Sequence, residues 1–334
     1  MKIFITGEEG YIAQKVCLLA SEYKSSVVNS LWNKALQEFL TENNYRVSNG
    51  KLHNTFYLRT PEVNIENFDS FYRAVQFCEP DVIIHNAAYV GSDVCEIYAE
   101  KAIASNVLGT YNVIEVCNRL KIKLIFMGTT VIYGGRIAPF SEDDYYSPST
   151  LYGITKLDAE LQVKKLCKED FIIIRPVFAF GDYPNDTSSA IIRILYTGMK
   201  NVLKGRHDII TVRLSPYHMK DYIRCEDVAR AILHVMNLGL WGEDFNVASG
   251  TSRLFKDYVD YVLNFYFPDY KENFIDYKIE LDYLKNHTAN IRKILGTGWR
   301  PKITFEDGIS MTYQSIIRNI DVEPILFASQ KRTK

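Results

Sequence analysis

The chain has 334 residues, of which 47% are hydrophobic, and its 39 Lys and Arg residues almost balance its 40 Asp and Glu residues. This length and apolar content suffice to bury a large core, in one large domain or two smaller ones. A net charge of -1 without a cluster of cations argues against nucleic acid or an anionic membrane as a partner, because both attract clustered positive charge.

The hydrophobic pattern predicts strands that alternate with helices through the first half of the chain. Each predicted strand is a short, almost continuous apolar run, and an amphipathic segment follows it. In chain order we predict a strand at 2–6, a helix at 11–23, a strand at 81–85, a helix at 99–120, a strand at 124–127, a helix at 149–167 and a strand at 171–175. Strands that are apolar on both faces are typical of a parallel sheet covered by helices on both sides.

Two segments compete for the second strand of this sheet. Residues 27–30 follow the first helix closely but form a poor strand, whereas residues 55–59, Thr-Phe-Tyr-Leu-Arg, are better strand formers. Both alternatives stay open. The second would make the intervening residues an inserted helical segment, with apolar side chains at helical spacing at Leu31, Trp32, Leu36, Phe39 and Leu40.

The regular alternation stops after residue 176, where turn residues and aromatic residues become frequent. We therefore predict a main domain formed by residues 1–176 with 221–238. A smaller cap would comprise residues 177–220 and 239–320, and residues 321–334 would form a tail.

A glycine-rich turn connects the first strand to the first helix, with the pattern Gly7-x-x-Gly10-x-x-Ala13. In this context the first glycine permits a tight turn, the second lets the backbone approach a pyrophosphate, and the small third residue permits close helix packing. The helix N-terminus at Tyr11 and Ile12 would then face the pyrophosphate. The turn predicts a dinucleotide site; the alternative is an ordinary strand-to-helix turn.

The end of the second strand bears on the choice of dinucleotide. An acidic residue there binds the adenosine ribose of NAD, whereas an arginine binds the 2'-phosphate of NADP. Neither candidate strand ends in Asp or Glu, and Arg59 closes the segment 55–59. We therefore favour NADP(H) and keep NAD(H) as the alternative, in which case Arg59 is a solvated surface residue.

Tyr152 and Lys156 are candidate catalytic residues because they lie one helical turn apart on one face. A neighbouring ammonium is expected to lower the pKa of a phenol from ~10 towards neutrality, which suits a general acid or base. The same spacing occurs at two other places in the chain, so the context decides. Only this pair opens a helix after an apolar strand that leads into Thr129, whose hydroxyl would lie at the ligand-binding edge of a parallel sheet.

Seven stretches in this order resemble the extended short-chain dehydrogenase/reductase family of NAD(P)-dependent nucleotide-sugar epimerases, dehydratases and 4-keto reductases. They lie at residues 6–13, 81–88, 106–112, 128–134, 152–156, 220–227 and 245–250. The resemblance implies an α/β fold, a Rossmann-type doubly wound parallel sheet with a smaller C-terminal substrate-binding cap, and a homodimer. It also implies that Thr129, Tyr152 and Lys156 are the catalytic residues.

The resemblance implies further site residues. The cofactor would contact Ala87, Ala88, Asn106 and Val177 in addition to the glycine turn, Arg59, Tyr152 and Lys156. The nucleotide-linked sugar would contact Thr129, Thr130, Val131, Phe178 and Lys220.

Departures from the family pattern narrow the reaction. Dehydratases of this family carry an Asp-Glu pair where this chain has Thr130 and Val131, which argues against dehydration. Phe178 stands where many epimerases and dehydratases have a substrate-binding Asn, and an aromatic residue there is more similar to the 4-keto reductases. We therefore favour NADPH-dependent reduction of the C4 keto group of a nucleotide-linked deoxysugar, with Tyr152 as general acid. An NAD-dependent 4-epimerase is the alternative, and a non-catalytic NAD(P)-binding regulator is a third reading.

The remaining composition indicates a reduced, metal-free protein. Six cysteines are scattered without a Cys-x-x-Cys pair, and no set of His, Cys and carboxylate residues has metal-ligand spacing. The sequence shows neither a signal peptide nor an apolar run of membrane-spanning length, so we expect a cytoplasmic protein.

Overall fold

The structure is a computed structural model, which describes the following segments of the chain. These are residues 1–7, 10–23, 26–27, 48–52, 55–59, 64–134, 137–182, 189–206, 209–212, 214–270, 274–277 and 286–319. The predicted helical insertion and the predicted tail lie outside the described residues.

The strands of these segments have the following bounds: β1 (Lys2–Thr6), β2 (Ser26–Val27), β3 (Ser48–Leu52), β4 (Thr55–Arg59), β5 (Val82–His85), β6 (Lys123–Met127), β7 (Phe171–Pro176), β8 (Phe178–Phe180), β9 (Ile210–Val212), β10 (Met219–Arg224), β11 (Asp244–Val247), β12 (Ser252–Leu254) and β13 (Ile275–Tyr277).

The α-helices are α1 (Tyr11–Leu19), α2 (Phe68–Cys78), α3 (Ser92–Ile97), α4 (Ala99–Ile103), α5 (Thr110–Leu120), α6 (Leu151–Leu166), α7 (Ala190–Lys204), α8 (Cys225–Asn237), α9 (Phe255–Tyr266), α10 (Arg292–Gly296) and α11 (Phe305–Arg318). Within the described segments, no helix combines the length and the apolar character needed to cross a lipid bilayer.

The central sheet has six strands in the order β11-β7-β6-β5-β1-β2. The pairings of β1 with β2 and β5, of β5 with β6 and of β6 with β7 are all parallel. Helices separate these strands along the chain, as parallel connections require. The predicted Rossmann-type parallel α/β fold is confirmed.

The second strand of the sheet is the short strand β2, which pairs with β1 through Lys2 and Ser26. The stronger candidate from the sequence, residues 55–59, does form a strand, but it pairs with β3 in an antiparallel hairpin. Its β-branched and aromatic residues suit any pleated pair, so propensity identified a strand but not its partner. The expectation that Arg59 closes the second strand of the central sheet is therefore wrong.

By its internal contacts the chain divides into two compact units. The first comprises Met1–Thr129, Leu151–Arg175 and Ala229–Asp244. Its core is aliphatic, because the strands present Val, Ile and Leu to the apolar faces of α2, α5 and α6. Fully buried members include Val75, Ile83, Val113, Leu124 and Val163.

The second unit comprises Thr130–Thr150, Pro176–Val228 and Phe245–Lys334. It contains a three-stranded sheet in the order β12-β10-β8 and a two-stranded sheet of β13 and β9. Its core combines aliphatic residues with a cluster of aromatic rings: the ring of Tyr258 lies 4.9 Å from the ring of Tyr222 and 4.5 Å from that of Phe305. Such edge-to-face pairs add to the stabilisation that burial alone provides.

Two buried histidines, one in each unit, are held neutral by their surroundings. Burial lowers the pKa of His85 to about 3, and the charge of Lys156 lowers it further. Burial and Lys220 lower the pKa of His287 to about 3 in the same way. Each ring therefore takes up a proton on unfolding at any pH between its folded pKa and its unperturbed pKa of about 6.5.

The stability of the protein should consequently fall as the pH drops from 6.5 towards 3. Each histidine contributes a slope of at most about 1.4 kcal/mol per pH unit, since only the unfolded chain binds the proton. Urea unfolding between pH 7 and pH 4.5 measures this slope. Other groups also titrate in this range, so the His287→Leu variant is the reference. Its free energy of unfolding should change less steeply with pH, because the unfolded variant binds close to one proton fewer. Equal slopes for the two proteins would contradict the prediction.

Candidate active site

The glycine turn after β1 packs directly against the segment that follows β5. Gly7 has a φ of +68°, and a Cβ at this position would lie 2.8 Å from the Cα of Ala87. The backbone N–H of Gly10 donates to the carbonyl of Gly7 at 2.9 Å, which closes the turn. Only glycine fits position 7, because any side chain would meet backbone atoms in a conformation that L-residues avoid.

Helix α1 begins directly after this turn, and its N-cap residue carries no side chain that could cap the helix. Its N-cap residue is Gly10, and no acidic residue lies in its first turn. The N–H groups at Tyr11 and Ile12 thus belong to a helix end that attracts anions. Ala13 is buried, as its predicted packing role requires.

A chain of hydrogen bonds connects the ends of β1 and β5 to α5. The amide of Ala87 donates to the hydroxyl of Thr6 at 3.1 Å, and this hydroxyl lies 2.8 Å from Nδ1 of His85. Nε2 of His85 lies 3.0 Å from the hydroxyl of Thr110, which donates to the carbonyl of Asn106 at 2.6 Å. These directions assign the proton of the neutral imidazole to Nε2, so His85 joins structural elements and is not free to exchange protons.

Asn106 lies in a π-helical turn, Ala104–Gly109, between α4 and α5. Its Oδ1 accepts from the amide of Tyr89 at 2.7 Å, and its Nδ2 donates to the carbonyl of Tyr89 and to the hydroxyl of Thr155, both at 3.0 Å. Both amide protons of Asn106 are thus used inside the protein. Asn106, which is predicted to contact the cofactor, thereby holds the loop after β5 against α6.

The three predicted catalytic residues lie together in the first unit. Thr129 follows β6 by two residues, and Tyr152 and Lys156 lie on the first two turns of α6. The hydroxyl of Thr129 hydrogen-bonds to the phenol of Tyr152. Nζ of Lys156 lies 4.3 Å from the centre of the Phe126 ring on β6, and the lysine is buried whereas Tyr152 is half-buried.

The expected depression of the Tyr152 pKa is wrong for the protein without a ligand. Burial raises the pKa of Tyr152 above that of a free tyrosine, the thiol of Cys95 raises it further, and only the hydrogen bond from Thr129 opposes them. Burial also lowers the pKa of Lys156 to about 7, against the attraction of Glu160. Removing both groups from water disfavours both charges, and this outweighs their mutual attraction. Tyr152 therefore holds its proton at neutral pH.

The loop after β5 and helix α3 place a further phenol and a thiol next to Tyr152. Tyr89 and Cys95 pack in one buried group with Tyr152. The thiol of Cys95 donates to the carbonyl of Tyr89 at 3.4 Å, whereas the buried hydroxyl of Tyr89 has no hydrogen-bond partner within the described segments. Sequence analysis missed Cys95, because a lone cysteine in a helix carries no spacing signal.

The predicted substrate residues other than Thr129 lie in the second unit, and three of them meet at His287. The hydroxyl of Thr130 lies 2.7 Å from Nε2 of His287, whose ring is 5.0 Å from the ring of Phe178. Nζ of Lys220 lies 5.3 Å from the centre of the Phe178 ring, and the lysine is fully buried, not a surface residue. Two other predicted residues, Val131 and Val177, are buried in this unit. Sequence analysis missed His287, which lies far along the chain outside any motif.

Residues 3–248 match the NAD-dependent epimerase/dehydratase family. Over 333 residues the chain is 22% identical to the human dTDP-D-glucose 4,6-dehydratase, covering 94% of this chain and 89% of that protein. It is also 28% identical over 149 residues to the dTDP-4-dehydrorhamnose reductase of Aggregatibacter actinomycetemcomitans, covering 44% of this chain and 50% of that one.

Solved structures share the fold. The UDP-glucose 4-epimerase of Thermotoga maritima, crystallised with UDP-glucose, superimposes with a TM-score of 0.78 at 20% identity, covering 96% of this chain and all of that chain. Other structures of this fold were determined with NAD or with NADPH.

The network around Asn106 makes a prediction for stability. Asn106→Ala removes three hydrogen bonds, one of which satisfies the buried amide of Tyr89, so the free energy of unfolding should fall by about 3 kcal/mol. Asn112→Ala is the matched control on α5, since it removes a single bond to the carbonyl of Ile65 and should cost about 1 kcal/mol. Urea unfolding compares the two, and equal losses would contradict the anchoring role.

Proposed function

The chain belongs to the NAD-dependent epimerase/dehydratase family, and we propose that it reduces the C4 keto group of a nucleotide-linked deoxysugar with NADPH. The observation that carries this proposal is the Tyr152 phenol hydrogen-bonded to Thr129 one turn from a buried lysine, in surroundings that raise the pKa of the phenol. This arrangement presents an acid and a hydrogen-bonding hydroxyl to one substrate oxygen, which is what reduction of a ketone requires.

The residues at the glycine turn fit a dinucleotide. The uncapped N-terminus of α1 suits a pyrophosphate, and Gly7 lets the turn lie against Ala87, next to Ala88. The unsatisfied hydroxyl of Tyr89 offers a further hydrogen bond. When bound, the dinucleotide would supply the hydride. We keep NADPH as the preferred form because β2, the strand beside β1, does not end in an acidic residue that could bind the adenosine ribose of NAD.

The chain's own residues provide the proton and the orientation. In the proposed reaction the Thr129 hydroxyl and the Tyr152 phenol bind the keto oxygen, and Tyr152 transfers its proton to this oxygen as the carbon is reduced. A phenolate would remain, and the ammonium form of Lys156 would stabilise it until a proton from solvent restores the phenol. The buried setting strengthens each of these interactions relative to water.

The second unit supports reduction over dehydration. Thr130 is hydrogen-bonded to His287 and Val131 is buried, so neither position offers a carboxylate that could remove or return a proton on the sugar ring. We propose that Phe178, Lys220 and Thr130 belong to the substrate side. A 4-epimerase would use the same Thr129, Tyr152 and Lys156, and it remains the alternative reaction.

Turnover with a panel of nucleotide 4-keto-sugars tests the proposal. With wild-type protein, the absorbance of NADPH at 340 nm should fall in step with the added keto sugar, and NADH should react more slowly. The Tyr152→Phe variant should bind the dinucleotide but lose at least about a hundredfold in kcat, the contribution typical of general acid catalysis.

Tyr196→Phe is the matched control. Tyr196 and Lys200 have the same spacing on α7 in the second unit, with Nζ of Lys200 4.5 Å from the Tyr196 ring, yet they have no predicted role in turnover. Interconversion of 4-epimers without consumption of reduced dinucleotide would establish the epimerase instead. Full activity in Tyr152→Phe would exclude both enzymes.

We also propose that the chain forms a homodimer through α4–α6. These helices leave large apolar side chains exposed: Ile103 is 44% exposed, Tyr111 45%, Ile154 51% and Leu161 46%. Ile154 and Leu161 lie two turns apart on one face of α6, so they form a stripe that a second copy of the same helices can cover.

Replacing this stripe with charge should separate the subunits. Ile154→Glu/Leu161→Glu places two carboxylates in the proposed contact, and light scattering after size-exclusion chromatography should then report a monomer where the wild type gives a dimer. Leu203→Glu is the control, because Leu203 is 60% exposed but lies on α7. A dimer that survives the double substitution would contradict the proposed interface.

A further inference from the structure

A buried ion pair lies beside Gly128, the residue before Thr129. Neither of its two residues has a role in the chemistry described above. Nε of Arg175 on β7 donates to Oε2 of Glu160 on α6 at 2.9 Å, and its Nη2 donates to Oε1 of the same carboxylate at 2.7 Å. Both side chains are 0% exposed. Such a two-pronged pair fixes the angle as well as the distance between its partners.

The pair contacts the residue that precedes Thr129. A Cβ at Gly128 would lie 3.2 Å from Cγ of Arg175 and 3.2 Å from Oε2 of Glu160. The amide of Gly128 also donates to the carbonyl of Ile174 at 2.7 Å. Thus the position of Thr129 at the end of β6 is set against the same two charged side chains that join α6 to β7.

The pair is also connected to the other two catalytic residues through α6. Glu160 lies one turn after Lys156 and two turns after Tyr152, so all three share one face of the helix. Any rotation or slip of α6 would break the contact with Arg175 and move Tyr152 away from Thr129 at once.

We propose that the Glu160–Arg175 ion pair is a positioning device that holds α6 so that Tyr152 and Lys156 face Thr129. Glu160 has a second effect in this role, since its carboxylate favours the charged form of Lys156 against burial. The other groups that face Lys156 are His85 on β5, the thiol of Cys95 on α3 and the ring of Phe126 on β6. Among these groups, Glu160 supplies the carboxylate that favours the ammonium form of Lys156. The inference rests on the proposed function for its kinetic readout only.

The test uses a single variant, a double variant and a control. Nη2 of Arg175 also donates to the carboxylate of Asp244 at 2.5 Å, and Glu160→Gln leaves this partner in place. The substitution keeps the shape of the side chain but takes one of these two carboxylates from the buried guanidinium, so a loss of stability is expected as well. Glu160→Gln/Arg175→Gln removes both charges and should recover melting temperature. The control Lys164→Gln removes a partly exposed cation that lies 3.1 Å from Glu160 but does not contribute to the two-pronged pair.

Two readouts separate positioning from stability. In both Glu160 variants kcat for the keto sugar should fall about tenfold or more, with little change in KM, because misplaced reacting groups lower the rate more than the binding. The pH above which dinucleotide binding weakens, followed by tryptophan fluorescence, should shift downwards, because the ammonium of Lys156 loses its carboxylate. Lys164→Gln should retain the wild-type kcat.

The outcomes distinguish this inference from the proposed function. If the double variant recovers melting temperature, kcat and the pH profile together, the pair is only structural and the inference is wrong. A wild type that binds dinucleotide but reduces no keto sugar would overturn the proposed reaction, and the shift of the binding profile would still decide the role of Glu160. A Lys164→Gln profile shifted as far as that of Glu160→Gln would also overturn the inference.

Discussion

The first unit depends on satisfying polar groups that are buried where the parallel strands end. Strands β1, β5 and β6 deliver Thr6, His85 and Thr129 into surroundings with little water, where an unpaired donor or acceptor costs about 1–3 kcal/mol. The hydrogen bonds from Ala87 through Thr6, His85 and Thr110 to Asn106 meet this requirement without a formal charge. Because each member has both a donor and an acceptor, the network satisfies these buried groups and connects the ends of β1 and β5 to α5.

The buried charged side chains near the site are of two kinds. Some have a partner of opposite charge, and one lies in apolar surroundings that disfavour its charged form. Arg175 and Glu160 are fully buried but joined by two hydrogen bonds. Lys156, buried against Phe126, has a pKa lowered to about 7, so near neutral pH both its charged and neutral forms are populated. Arg175 and Glu160 thus form a fixed ion pair, whereas the charge of Lys156 can change near neutral pH. This division suits a fold in which the scaffold must stay unchanged while a proton moves.

The sequence was sufficient for the features that repeat or have a fixed spacing. Apolar runs predicted the parallel sheet, and the glycine pattern predicted a turn where only Gly7 fits. The Tyr152–Lys156 spacing and the strand before Thr129 predicted three residues that the structure brings together. Long-range pairing was harder: the strand at 55–59 has the stronger propensity, yet the weakly apolar Ser26–Val27 lies next to β1. Local preference describes one strand, whereas sheet order depends on which partner comes within reach.

The depressed Tyr152 pKa failed as a prediction because spacing reports proximity and not burial. The sequence shows that a cation is near the phenol, but the cost of taking both groups out of water is set by distant residues such as Cys95 and Phe126. That cost bears on the direction of the reaction. A reductase begins with the acid form of Tyr152, whereas an epimerase must begin by removing a proton from the sugar hydroxyl and needs the base form. Burial favours the phenol, which suits the proposed reduction, whereas a catalyst working in the other direction would first have to stabilise the phenolate.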